Sequence, residues 1–260
     1  MSKKIAILGA GNMGSAIAAS LIGTDYNITC TAASQATLDR LAPALPGVEL
    51  SNSNAAAVFG ADIVVIAVKP HIAPQVVAEV SRWLEDGATV ITVVATHTVE
   101  SLSKELDAEK RKVNIFRVIP NTAIRHGKSV TFIAHGEGVT PEAEEEITAI
   151  FNRSGHAFII PEKDMNACMA LASCGIAYFL RFIRAAAEGS VELGLKADFA
   201  TRIAALTAEG AASLLADGGH PEAEIDKVTT PGGLTIKGLN TLEANGFTNA
   251  VIQALKASKI

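Results

Sequence analysis

The chain has 260 residues, more than one typical domain and fewer than two large ones, so a full-sized unit followed by a smaller one is expected. Hydrophobic residues make up 49% and aromatics 5%, which suits an interior of Ala, Val, Ile and Leu with helices laid on a parallel sheet. A net charge of −5 with no long Lys/Arg run speaks against nucleic acid, and Cys30, Cys168 and Cys174 lack disulfide-framework or zinc-knuckle spacing, so a small partner and a reducing cytoplasm are expected.

The opening Met-Ser-Lys-Lys and the apolar residues 5–8 imitate a signal peptide, but Gly9, Gly11, Asn12 and Gly14 interrupt it too soon. No uninterrupted apolar run reaches bilayer length, and a soluble chain without a membrane partner is expected. Val/Ile-rich runs predict strands at 4–8, 26–31, 63–68, 89–94, 113–118 and 130–134. Between them Met13, Ile17 and Leu21 share one helical face, and Ile72, Val76 and Val80 share another. This alternation reads as βαβ units with right-handed crossovers, hence an α/β fold with a Rossmann-type doubly wound sheet. Residues 142–146, rich in Glu, read as a solvated first helical turn.

Near Pro161 the pattern turns wholly helical, which predicts a sheet domain over 1–161 and an all-helical domain over 162–260. Across 165–187 apolar residues lie nearly all round the helix, among them Met169, Leu171, Ile176, Phe179, Leu180, Phe182 and Ile183. Such a helix must be covered on every side. Roughly a hundred residues are too few to do that alone, so a second copy of the chain is expected to complete the burial.

Gly9-Ala10-Gly11-Asn12-Met13-Gly14 fits G-x-G-x-x-G between a strand and an amphipathic helix. Gly9 permits the tight turn, Gly11 the approach of a pyrophosphate, and Gly14 the packing of helix on strand. The bland alternative is a glycine turn with no ligand. In a dinucleotide domain an Asp or Glu at the end of the second strand holds the ribose 2′-hydroxyl and repels a 2′-phosphate. Here the segment reads Cys30-Thr31-Ala32-Ala33-Ser34-Gln35, without a carboxylate. Thr31, Ser34 and Gln35 offer hydrogen bonds to a phosphate, so NADPH is expected, with NADH as the alternative.

Asn12-Met13-Gly14, Ala67-Val68-Lys69-Pro70 and Arg117-Val118-Ile119-Pro120-Asn121 resemble segments of pyrroline-5-carboxylate reductases. The most specific likeness is late: Thr229-Thr230-Pro231-Gly232-Gly233-Leu234-Thr235, then Gly238-Leu239 and Glu243-Ala244-Asn245-Gly246-Phe247, resembles that family's substrate-binding signature. The resemblance implies a dinucleotide domain followed by a helical substrate-binding and dimerisation domain. It implies NAD(P)H-dependent reduction of the cyclic imine 1-pyrroline-5-carboxylate to L-proline, the last step of proline biosynthesis. It places Asn54, Val68, Lys69, Pro70, Ala95 and Asn121 with Gly9, Gly11, Asn12, Met13, Gly14, Thr31 and Ser34 on the cofactor side, and Thr235 beside the substrate nitrogen. A homodimer, with assembly into a higher oligomer of dimers open, goes with it.

Three departures stand out. Thr230 and Leu234 occupy the first and fifth positions of a loop usually written Ser-Pro-Gly-Gly-Thr/Ala-Thr, so backbone must serve at Leu234. Ser173-Cys174-Gly175-Ile176-Ala177-Tyr178 lacks the proline of Gly-Ser-Gly-Pro-Ala-Tyr, which predicts a locally straighter helix. Val94-Ala95-Thr96 stands where Ala-Ala-Gly is usual.

Thr230, Gly232, Gly233, Leu234 and Thr235 make the candidate substrate loop. Backbone N–H groups at a helix start suit a carboxylate, and the Thr235 hydroxyl suits the ring nitrogen as the candidate catalytic group. The structural alternative is a helix start with a capping threonine. Lys69 reads as a cofactor-side positioner or a surface lysine, and Tyr178 as a core residue with its hydroxyl at an interface. The six histidines are scattered without ligand spacing, so no metal is assigned. A β-hydroxyacid dehydrogenase would need a lysine on the long helix, and 165–194 holds none. A non-catalytic dinucleotide sensor would have no use for the polar late loop.

Overall fold

The computed structural model describes residues 2–107, 111–216 and 218–258. Its contacts divide the chain into two compact units, Met1–Met169 and Ala170–Ile260.

The first unit grows from β1 (Lys4–Leu8), which is buried from Ile5 onward and pairs in parallel with β2 (Asn27–Thr31) and β4 (Ile63–Ile66). Burial on both faces is what a strand with apolar residues at every position requires. Ile5 and Ile7 join one core layer with Ile17 and Leu21 beside α1 (Asn12–Ser20) and with Ile147 and Phe151 of a later helix. Ala6 and Leu8 enter the opposite layer with Val76 and Val77 of α4 (Ala73–Val80) and Leu102 and Leu106 of α5 (Val99–Leu106). The smaller helices α2 (Gln35–Leu41) and α3 (Asn54–Val58) complete the set before α4.

β3 (Glu49–Ser51), β5 (Thr89–Thr92), β6 (Asn114–Ile119), β7 (Ser129–His135) and β8 (Gly155–Ile159) extend the sheet to eight strands in the order β3-β2-β1-β4-β5-β6-β7-β8. The doubly wound expectation holds. β7 nonetheless runs antiparallel to β6, because the short link between them cannot make a parallel crossover. β8 then pairs in parallel with β7 across α6 (Pro141–Asn152). The acidic start of α6 is less solvated than expected. Glu144 meets His135 at 2.7 Å, and Glu146 accepts from Lys3 at 2.6 Å and from the Tyr26 hydroxyl at 3.1 Å.

After β8 come α7 (Met165–Met169) and, in the second unit, a π-helical turn over Ala170–Cys174 and α8 (Gly175–Glu192). The expected local straightening is absent: without proline, an inserted residue still widens the helix just before Gly175. Charged residues such as Arg181 and Arg184 interrupt the helical stretch Glu162–Glu192, which is nonetheless long and apolar enough to cross a membrane by length and composition. The second unit continues with α9 (Ala197–Ser213), packed against α8, then α10 (Pro221–Val228), α11 (Leu234–Ala244) and α12 (Phe247–Ala257). Tyr178 bonds the Ala254 carbonyl and the Ser258 hydroxyl, and Phe182 lies 6.1 Å from Phe247 between ring centres. Of α8 only Gly175 and Ala187 are buried, whereas Phe179 is 67% exposed.

Candidate active site

The chain leaves β1 in one direction to build β2 and β3, and returns to the other side of β1 to build β4, β5 and β6. The crevice at the carboxyl ends of β1 and β4 is therefore the switch point where such sheets bind ligands. Gly9, Ser34, Val68, Ala95 and Asn121 all follow the carboxyl ends of parallel strands along that edge.

Gly9 has φ +105°, and a Cβ there would come within 2.8 Å of both the Ala67 carbonyl oxygen and Val68 Cγ1. At Gly14 a Cβ would lie 2.0 Å from the Gly9 carbonyl oxygen, but at Gly11 it would meet nothing within 4 Å. The loop is thus closed by packing at its first and third glycines and open at its second. Gly11 caps α1 with no side-chain hydrogen bond, which leaves the first N–H groups of the helix for an anion. A dinucleotide pyrophosphate fits these features.

The loop is braced from β2. The N–H groups of Gly9 and Ala10 donate to the Thr31 carbonyl at 3.2 and 2.6 Å, and Gly9 N–H also reaches the Thr31 hydroxyl at 3.2 Å. That hydroxyl donates to Asn54 Oδ1 at 2.7 Å, and Asn54 Nδ2 donates to Glu79 Oε2 at 3.1 Å. Thr31, read from sequence as a phosphate contact, is buried with its hydroxyl engaged, and it acts here as a strut. Ser34 is exposed and caps α2, accepting from Thr37 N–H at 3.4 Å, while Gln35 bonds Asp39 at 2.8 Å. Cys30, next to Thr31 in β2, is buried, which pushes its thiol up to about 12.

Val68 lies against Gly9, and the Lys69 carbonyl accepts the N–H groups of Ile72 and Ala73 at 2.9 and 3.2 Å, so the turn through Pro70 leads into α4 at Ala73. The Lys69 side chain is exposed. The Ala95 carbonyl accepts from Arg117 Nη2 at 2.6 Å, and Arg117 Nη1 donates to Glu162 Oε1 at 3.1 Å. Glu162 also accepts Val99 N–H at 2.9 Å, so one buried arginine fixes the whole turn after β5. His97 is buried in that turn, 3.7 Å from Glu105. Asn121 is buried, accepting Ala123 N–H at 3.0 Å and donating its own N–H to Ser129 Oγ at 3.1 Å.

The sequence reading missed Arg117, Glu79 and also Arg125, whose Nη2 donates to the Asn12 carbonyl at 3.3 Å. Arg117 lay within a recognised segment yet drew no role, and the other two reach the site from α4 and from the link after β6. No local pattern marks them.

In the second unit, residues 230–233 form a bend in which Gly233 N–H donates to the Thr230 carbonyl at 2.9 Å. Gly232 has φ +71°, and a Cβ on Gly233 would sit 2.5 Å from Thr230 Oγ1, so both glycines are sterically required. Gly233 caps α11 without any side-chain hydrogen bond, so the capping-threonine alternative does not describe this start. The first N–H groups of α11 are left without a side-chain acceptor. Leu234 is 85% exposed, and Thr235 stands exposed in the first turn.

Residues 162–259 match the family model described as pyrroline-5-carboxylate reductase dimerisation, and residues 4–96 one described as NADP oxidoreductase coenzyme F420-dependent. Pyrroline-5-carboxylate reductase 2 of Dictyostelium discoideum is 36% identical over 99% of this chain and 91% of its own length. The chain belongs to the pyrroline-5-carboxylate reductase family. Pyrroline-5-carboxylate reductase 1 of the same organism is 37% identical over 98% of this chain, which spans 48% of that longer relative. Among solved structures, the Plasmodium falciparum pyrroline carboxylate reductase with NADP bound has a TM-score of 0.87 at 26% identity, covering 98% of this chain and 95% of that one. The family motifs read from the sequence therefore identified it correctly: this is an NAD(P)H-type oxidoreductase with a Rossmann-like sheet unit and a helical carboxyl-terminal unit.

Proposed function

We propose that this chain reduces the carbon–nitrogen double bond of 1-pyrroline-5-carboxylate with NADPH, giving L-proline. The observation that carries the reading is the pairing in one chain of an uncapped helix start at Gly11, inside the glycine loop at the switch point of the sheet, with another behind the Gly232-Gly233 bend of the late loop. The first suits a pyrophosphate and the second the carboxylate of a proline-like acid.

The bound dinucleotide supplies the hydride. The chain's own task is placement. Gly11, Asn12 and Met13 present N–H groups to the pyrophosphate, with Gly9 and Gly14 holding the loop in shape. Asn54 and Ser34 serve the adenosine ribose, and Thr31 orients Asn54. Val68, Lys69 and Pro70, with Ala95 and Asn121, shape the nicotinamide side. Gly232, Gly233 and Leu234 hold the substrate carboxylate through backbone N–H groups while Thr230 sets the bend. The Thr235 hydroxyl bonds the ring nitrogen. A hydroxyl of ordinary high pKa is a positioner more than an acid, so the nitrogen's proton arrives with the substrate or through water.

The missing carboxylate at the end of β2 supports NADPH over NADH. The functional division falls between Pro161 and Glu162, where the dimerisation model begins; the compact units part later because Met165 and Met169 are buried in the first. That model and the exposed apolar residues of α8 support a homodimer in which a second copy, and not lipid, covers Glu162–Glu192. Arg181, Arg184, Glu188 and Glu192 on α8 favour the protein partner over lipid. Free Cys30, Cys168 and Cys174 support a cytoplasmic location.

The test compares NADPH and NADH against pyrroline-5-carboxylate, piperideine carboxylates and 2-hydroxy acids. The highest kcat/KM is expected for NADPH with pyrroline-5-carboxylate, and inactivity on every cyclic imine would overturn the reading. Thr235→Ala is expected to lower kcat by about 10- to 100-fold while dinucleotide Kd stays near its original value. Unaltered turnover would remove Thr235 from the site.

A further inference from the structure

Because β6 and β7 are antiparallel, the link between them turns back along the carboxyl edge of the sheet as the 3-10 turn Thr122–His126. That turn packs on α1, and Arg125 Nη2 donates to the Asn12 carbonyl 3.3 Å away. Asn12 is the first residue of α1, so the guanidinium stands where uncapped N–H groups already gather positive charge. The helix dipole disfavours a cation at that end. Among the described residues no carboxylate lies within ion-pair distance of Arg125, and its side chain is exposed. Two sources of positive charge therefore meet, unneutralised, at a loop whose open position is Gly11. An anion carrying more than one charge would relieve both.

We infer that Arg125 is a binding residue for the dinucleotide pyrophosphate, adding a charge-assisted contact to the N–H groups of the cradle; this rests on the dinucleotide use proposed above. The pyrophosphate is the target in preference to the 2′-phosphate because Asn12 follows β1, whereas the ribose belongs to the end of β2. The competing role for the same hydrogen bond is a strut that ties the β6–β7 link to α1.

Fluorescence titration of the full chain with NADPH and with NADH, at several salt concentrations, separates these roles for the original protein, Arg125→Gln and Arg125→Lys. Arg125→Gln is expected to raise Kd about fivefold for both dinucleotides and to flatten the dependence of Kd on salt. Arg125→Lys is expected to recover part of the loss. Unchanged Kd, alone or with a lowered Tm, would overturn the inference in favour of a strut, and a loss confined to NADPH would overturn it in favour of a 2′-phosphate contact. If the unsubstituted chain bound neither dinucleotide, the functional reading itself would fail.

Discussion

A methyl group added at Gly14 would sit 2.0 Å from the Gly9 carbonyl oxygen, whereas one added at Gly11 would touch nothing within 4 Å. Gly14→Ala is therefore expected to lose about 1–3 kcal/mol of stability in a urea titration. Gly11→Ala is expected to melt like the original protein and to bind NADPH more weakly, since the methyl fills the ligand's approach. Equal loss of stability in both variants would show that the loop is merely a tight turn. Cys30 is buried with its thiol pushed up to about 12, so it is expected to resist iodoacetamide at neutral pH until the chain unfolds. Alkylation of Cys30 in the native protein would contradict that environment. At this scale the sequence was legible where chemistry is local: six consecutive residues carry the cradle, and seven carry the late loop. It was not legible where partners are distant. Thr31 looked free to bind phosphate because Asn54, which takes its hydroxyl, lies 23 residues on. Arg125 meets Asn12 across 113 residues, with nothing in either segment to announce the other.

Short Val/Ile-rich runs were readable in the sequence, and β1, β4 and β5 follow from them: β4 is apolar at every position, β1 from Ile5 onward, and β5 holds Val90 and Ile91 between two buried threonines. β3 escaped because three residues, Glu49, Leu50 and Ser51, carry too little pattern. β8 escaped because Gly155 opens it and Phe158 and Ile159 remain exposed, so its burial is not that of a central strand. The reversal between β6 and β7 follows from the length of a link, which periodicity does not weigh. The turn after β5 depends on the Arg117–Glu162 pair, whose side chains are 6% and 30% exposed. Removing the carboxylate leaves a buried guanidinium without its counter-charge. Glu162→Ala is expected to destabilise the chain by about 3 kcal/mol in a denaturant titration, and Arg117→Met, which removes the charge itself, by less. The reverse ranking would show that the arginine acts through packing and not through charge.

For the molecule as a whole, the mismatch between apolar composition and burial is concentrated in the helical unit. Phe179, Leu180 and Phe182 on α8 and Phe199 and Leu206 on α9 are all more than 45% exposed in the single chain. Patches of this kind mark an interface. A second copy is the occupant that the dimerisation match supports, and Phe179→Lys with Leu180→Lys is expected to shift light-scattering mass toward the monomer. A monomeric original protein at micromolar concentration would contradict it. The need for a partner was readable from the all-round apolar helix, because one chain this short cannot cover it; the π turn and the exact seats of the aromatics were not. The chemistry assigned to the assembly is tested most directly by giving it 1-pyrroline-5-carboxylate and NADPH deuterated at the transferable position, then analysing the products by mass spectrometry. The account predicts L-proline carrying deuterium on the ring carbon of the former double bond. Absence of proline, or proline without the label, would contradict it.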